Sequence, residues 1–250
     1  MDSPTEPAHF EDLPADRQAQ IRETVRQQTE LAYRHLTPVI IASALYPPPK
    51  MKSASGFLVK AWGATWLGTA WHVVEEYLNL VKHESRTRLQ VGDTFIDPRE
   101  RRMWSDTHAD VVLVEPSSRE RAAIRVQVHE PAAWPPPAVT PGSYVLVSGF
   151  PAGWRQNLGP ETAGFNALSM RLRVTTVGET YFTCQWEREH LIDLGPGEPP
   201  RPGIELDGIS GAPVFAERPL HYPLVGLVKL WGASTEVMYV AALSHLPEQL

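Results

Sequence analysis

Three short segments of this chain carry side chains that, brought together, can break an acyl bond. Gly208-Ile209-Ser210-Gly211-Ala212-Pro213 runs into the apolar Val214-Phe215, Thr69-Ala70-Trp71-His72-Val73-Val74 sets a histidine at the end of a strand-like run, and Ala109-Asp110-Val111-Val112-Leu113 sets an aspartate at the head of another. A serine hydroxyl is a weak nucleophile; it needs a base to take its proton and donors to hold the oxyanion formed when a carbonyl is attacked. Glycine at 208 lets the backbone turn so that its N–H and that of Ser210 converge on one oxygen, while Gly211 leaves room behind the hydroxyl. An imidazole titrating near neutrality suits the work of base and then acid, and a carboxylate beside it holds the correct tautomer.

Each segment also has a plainer explanation. Glycine and serine cluster in ordinary turns, and one of nine histidines is more often a cap at a strand end than a base. Asp106 competes with Asp110 for the third place. Asp110 is preferred because it abuts the apolar run Val111-Val112-Leu113-Val114, whereas Asp106 sits among Ser105, Thr107 and His108 in loop-like sequence. Cys184, the single cysteine, lies in the strand-like run Tyr181–Trp186 and reads as a small buried hydrophobe. No His-x-x-x-His spacing points to a metal, and no metal or other cofactor is expected.

The segments resemble the trypsin/chymotrypsin-like serine protease family, including its bacterial trypsin-like peptidase domains. Gly208 to Pro213 with Val225-Gly226-Leu227-Val228 is similar to the G-D-S-G-G-P signature and the V-G-I-V strand after it. Gly56-Phe57-Leu58-Val59 followed by Leu67-Gly68-Thr69-Ala70 and His72 is similar to the histidine element, and the order His, Asp, Ser is the family's own. The resemblance spans Val39 to Ala242 and implies a catalytic triad of His72, Asp110 and Ser210, an oxyanion hole from Gly208 and Ser210, and an acyl-enzyme intermediate. Ile209 departs from the pattern: the family's aspartate there captures a freed N-terminal amine, so that mode of activation is not expected. The primary substrate pocket is expected from Ile204, Glu205, Lys229, Leu230 and Trp231. With Ile204 six residues before the serine, cleavage after Lys or Arg is unsupported. Lys229 either points into the pocket, favouring an acidic side chain, or stretches along the surface.

The elements that must position these residues follow from periodicity and punctuation. Ile21, Val25, Leu31, Ala32 and Leu36 recur at helical spacing and predict an amphipathic helix from about Pro14 to Leu36, packed on the main fold. Strands are expected at 39–45, 56–61, 65–70, 88–91, 111–114, 124–128 and 144–148, then at 168–177, 180–186, 213–216, 224–230 and 236–241, with a short helix from His72 to about Lys82. The expected fold class is all-β, a double antiparallel β-barrel of trypsin-like type with an N-terminal amphipathic helix and a short C-terminal helix. Its parts divide as 1–37 (tail and helix), 38–130 (first barrel, with His72 and Asp110), 131–142 (proline-rich connection) and 143–250 (second barrel, with Ser210, and the C-terminal helix). The stretch 195–203, rich in proline and glycine, reads as a surface loop framing the site.

With 250 residues and 42% apolar residues the chain can fill two small barrels. A net charge of −6 offers no basic face for nucleic acid. One cysteine rules out an intramolecular disulfide, and Met1-Asp2-Ser3-Pro4-Thr5-Glu6 has neither the basic start nor the apolar run of a signal peptide, so a cytoplasmic protein with no membrane attachment is expected. The expectation is a serine endopeptidase acting on a protein or peptide substrate, controlled by a regulatory protein partner as in bacterial regulatory or defence systems. The alternative is a catalytically silent fold of the same kind serving as a peptide-binding or scaffold module. An α/β-hydrolase esterase is disfavoured because the Gly-x-Ser-x-Gly elbow and the order Ser, Asp, His are both absent.

Overall fold

The computed structural model describes residues 10–42, 51–159, 162–186, 203–218 and 221–249. Helix α1 (Ala15–Arg34) opens the fold and stops where Pro38 and the β-branched Val39-Ile40-Ile41 favour an extended chain. Strands β1 (Leu36–Ala42), β2 (Met51–Ala61) and β3 (Ala64–Ala70) follow, then α2 (Trp71–His83), β4 (Arg88–Val91), β5 (Thr94–Ile96), β6 (Met103–Asp106), β7 (Val111–Val114), α3 (Ser118–Ile124) and β8 (Val128–His129). The second half holds β9 (Tyr144–Gly149), β10 (Arg155–Gly159), β11 (Thr162–Phe165), β12 (Leu168–Val177), β13 (Tyr181–Gln185), β14 (Pro213–Ala216), β15 (Leu224–Gly232) and β16 (Val237–Ala242). Segment 131–142, expected as the connection, lies between the two sets without helix or strand.

The first set forms one sheet in the order β5-β4-β1-β2-β3-β7-β6, with β8 adding in parallel to β2; its hydrogen bonding leaves it open. The second closes completely as β12-β13-β16-β15-β14-β9. Along β9 and β14 successive side chains point to opposite faces. Val145, Val147 and Val214 therefore fill the closed barrel, while Leu146 and Phe215 pack with the core of the first sheet, beside Phe57, Leu67 and Leu113. The seam so formed joins the halves and sets the loops that carry the candidate triad side by side. Helix α1 lies on the second barrel. The amide of its buried Gln28 donates to Glu217 Oε1 at 3.3 Å and to the Tyr222 hydroxyl at 3.2 Å, and Tyr33 meets Phe150 edge-on at 6.3 Å.

Two expected elements differ. The strand expected at 124–128 is absent over most of its length. Ile124 is the last residue of α3, Arg125 caps it in the left-handed region at φ 58°, and only Val128 and His129 are extended. The helix starts on a capping box, Ser117 Oγ accepting from Glu120 N–H and the Glu120 carboxylate accepting from Ser117 N–H, which outweighs the β-branched character of the residues after it. The expected C-terminal helix is a single 3-10 turn, Leu243–His245. The loop expected at 195–203 lies outside the described residues except for Gly203.

Candidate active site

Helix α2 begins directly at the end of β3. Its N-cap residue, Ala70, has no side chain able to take up the first free N–H groups. Asp110 takes over that task from across the β7 end. Its Oδ1 accepts from His72 N–H at 2.9 Å, its carbonyl accepts from Trp71 N–H at 3.1 Å, and its Oδ2 lies 2.8 Å from His72 Nδ1. Three contacts to two consecutive residues fix the imidazole relative to the carboxylate. They hold Asp110 in the left-handed region, φ 65°, where aspartate is among the better-tolerated residues. The carboxylate is buried and the imidazole about half exposed, so His72 Nδ1 is engaged while the rest of the ring faces the cleft.

Asp106 does other work. Its Oδ1 accepts from the N–H groups of His108 and Ala109, closing the turn into β7, and its Oδ2 meets His245 Nε2 at 3.3 Å. Burial pushes its carboxyl up, but the amides of Ala109 and His108, helped by His245, outweigh that and hold it below the usual range.

Ser210 sits in the tight passage that leads into β14. Gly208 and Gly211 on either side have φ of 93° and 82°. A Cβ on Gly208 would fall 2.6 Å from the Phe150 carbonyl oxygen, and one on Gly211 would fall 2.2 Å from that of Ser55, so both positions need glycine for conformation and for space. Between them Ile209 turns inward and is buried in the second barrel's core, where an apolar side chain replaces any charged anchor. Among the described residues the N–H groups of Gly208 and Ser210 donate to no protein acceptor. Ser210 Oγ rests 3.5 Å from the Lys229 carbonyl.

His72, Gly208 and Ser210 line one cleft of about 180 Å³, together with Glu205, Leu230 and Trp231 of the residues expected in the substrate pocket. Ile204 is not part of the lining; it packs against the second barrel's core, and its carbonyl accepts from the Trp231 indole N–H at 2.8 Å. Lys229 also lies outside the lining; its ammonium donates to the His108 carbonyl at 3.2 Å. Asp207, Glu76 and Lys52 complete the charged lining, the last two ion-paired with each other. Sequence reasoning missed these three because nothing in their local sequence marks them. Cys184 is buried in β13, and burial pushes its thiol strongly up, which keeps it un-ionised. Among the described residues no helix is long and apolar enough to cross a membrane.

No protein-family model and no curated protein sequence matches this chain. Among solved structures it is similar to the active form of the Rv3671c protease from M. tuberculosis, with 15% identity over 89% of this chain and 82% of that chain and a TM-score of 0.50. It is also similar to HBP, solved at atomic resolution, with 11% identity over 85% of this chain and 87% of that chain and a TM-score of 0.53. At such identities the likeness is one of fold. The chain has the trypsin/chymotrypsin-like double β-barrel fold.

Proposed function

We propose that the protein is a serine endopeptidase working through Ser210, His72 and Asp110. The observation that carries this reading is the fixed His72–Asp110 pair opening onto the same cleft as Ser210 and the two free N–H groups of Gly208 and Ser210. In the reaction, Ser210 Oγ turns from the Lys229 carbonyl toward His72, which takes the hydroxyl proton at Nε2 as the oxygen attacks the scissile carbonyl. Gly208 N–H and Ser210 N–H then stabilise the oxyanion, His72 returns the proton to the leaving amine, and the acyl-enzyme is released by water activated by the same imidazole. Asp110, already bonded to Nδ1, holds that tautomer throughout and stabilises the imidazolium. The substrate is a protein or peptide, the compartment is the reducing cytoplasm, and control falls to a regulatory partner, because a buried isoleucine, Ile209, stands where the family's aspartate would engage a freed N-terminus.

One observation favours the second reading, a catalytically silent peptide-binding module: the Ser210 hydroxyl contacts the Lys229 carbonyl instead of His72. A fluorophosphonate probe separates the two. Covalent labelling of the wild-type protein that disappears in Ser210→Ala is expected; a wild-type protein that stays unlabelled across pH and in peptide-turnover assays refutes the enzyme.

A further inference from the structure

We infer that Ser55, on β2 of the first sheet, is a positioning residue that sets the oxyanion hole of the second barrel; the inference rests on the endopeptidase reading above. In a trans peptide the N–H points opposite to the C=O of the same unit, so the aim of the Gly208 and Ser210 N–H groups is set by what holds the carbonyls of their loop. All four of those carbonyls have partners. Asp207 C=O accepts from Ala152 N–H at 2.5 Å and Ile209 C=O from Ala212 N–H at 3.0 Å, which turns the Gly208 and Ser210 N–H groups the other way. The Gly208 and Ser210 carbonyls belong to the peptide units on either side of the one that carries Ser210 N–H, and Ser55 holds both: its Oγ donates to Gly208 C=O at 2.9 Å, and its own N–H donates to Ser210 C=O at 2.8 Å.

The same hydroxyl closes a second contact, accepting from Phe150 N–H at 3.0 Å. Phe150 lies two residues before Ala152, which holds Asp207, so one hydroxyl ties the loop to the backbone that supports it. Ser55 is fully buried, and its carbonyl is itself held by the Thr69 hydroxyl at 2.8 Å, on β3, the strand that leads into α2 and His72. A side chain on the first sheet thus links the strand that delivers the base to the turn that delivers the nucleophile. It touches neither substrate nor reacting atoms. Removing its hydroxyl leaves the Gly208 carbonyl and the Phe150 N–H buried without partners, a state relieved by rotating the Gly208–Ile209 peptide, which lies between the two units that carry the hole N–H groups and would tilt them.

The test compares Ser55→Ala with Ser148→Ala. Ser148 is another fully buried serine, whose hydroxyl bonds Ser169 Oγ at 2.6 Å and no group of the 207–210 loop. Both variants lose a buried hydrogen bond, so both should melt somewhat below the wild type. Only Ser55→Ala should lower kcat, by about 10- to 100-fold with KM within about twofold, since a fully deleted hole donor costs more. The affinity of a peptidyl boronate, whose tetrahedral adduct fills the hole, should fall in parallel. Ser55→Cys, which keeps a weak donor at similar volume, should lie between and serves should the alanine variant fail to fold. An active wild type with an unchanged Ser55→Ala kcat, or an equal kcat loss in Ser148→Ala, overturns the positioning role alone. A wild type inert to fluorophosphonate and to peptides overturns the endopeptidase reading and this inference with it.

Discussion

Asp110 carries two loads in one side chain, orienting His72 through Oδ2 and capping α2 through Oδ1, and the two can be separated. Asp110→Asn keeps the shape and one acceptor oxygen but offers an N–H₂ to the ring, so the tautomer needed at Nε2 is lost. Turnover should fall by about 10³- to 10⁴-fold while the helix cap largely survives and the melting temperature moves by only a few degrees. Rates and a melting curve on the same preparation check this; near-wild-type kcat would remove Asp110 from the mechanism. Trp231 belongs to the same scale. Its bulky indole lines the cleft and is pinned to the Ile204 carbonyl, so small side chains should precede the cut, and Trp231→Gly should admit larger ones. A peptide-library profile of the two proteins measures the shift. His72, Asp110 and Ser210 were legible because each sits inside a short motif of its own. Ser55 was not, because its partner Gly208 is 153 residues away and nothing in Ser53-Ala54-Ser55-Gly56 announces it. The orientation of Lys229 was equally closed to sequence, since only the folded position of the His108 carbonyl decides it.

Long strands with β-branched and apolar runs, such as β12 and β15, and the buried face of α2 at Val73, Val74, Tyr77 and Val81 were readable from periodicity alone. Short or polar elements were not. Strands β5 and β6 have three and four residues, too few for alternation to stand out. Helix α3 has seven, and its capping box was its one local signal. That box gives a clean prediction. Ser117→Ala removes the acceptor for Glu120 N–H at the first turn, while Glu120 stays paired with Arg101 through contacts of 2.9 and 2.7 Å. The expected cost is about 1 kcal/mol of stability, read as a shift of the urea midpoint at constant m-value, with peptide turnover unchanged. A fall in turnover would mean that α3 is coupled to the site through the first sheet.

At the scale of the whole molecule the seam between the halves contains its own titrating pair. His35, just after α1, and His129, in β8, meet edge-on at 5.2 Å and both pack on Phe215 of β14. His129 Nε2 accepts from Leu224 N–H at 3.4 Å, so that nitrogen carries no proton in the folded state, while His35 Nδ1 donates to the Gln127 carbonyl at 2.9 Å. Burial, with the neighbouring His35 adding, brings His129 down from 6.5 to about 4. Burial also lowers His35, Arg34 adding and the Gln127 carbonyl opposing. A group whose folded pKa is depressed is neutral in the native state and takes up its proton first on unfolding. The stability tied to that neutrality is therefore complete above about 6.5 and is lost progressively as pH falls toward about 4. For His129 this amounts to about 2 kcal/mol between pH 7 and pH 5. His129→Gln keeps an acceptor for Leu224 N–H and removes the titration, so urea unfolding at the two pH values should show a smaller loss in the variant than in the wild type. Equal losses would move the acid sensitivity away from the seam. None of this could be read from sequence, because His35, His129 and Leu224 come together only when α1, β8 and the head of β15 close on one another, and each histidine looks ordinary among its own neighbours in the chain.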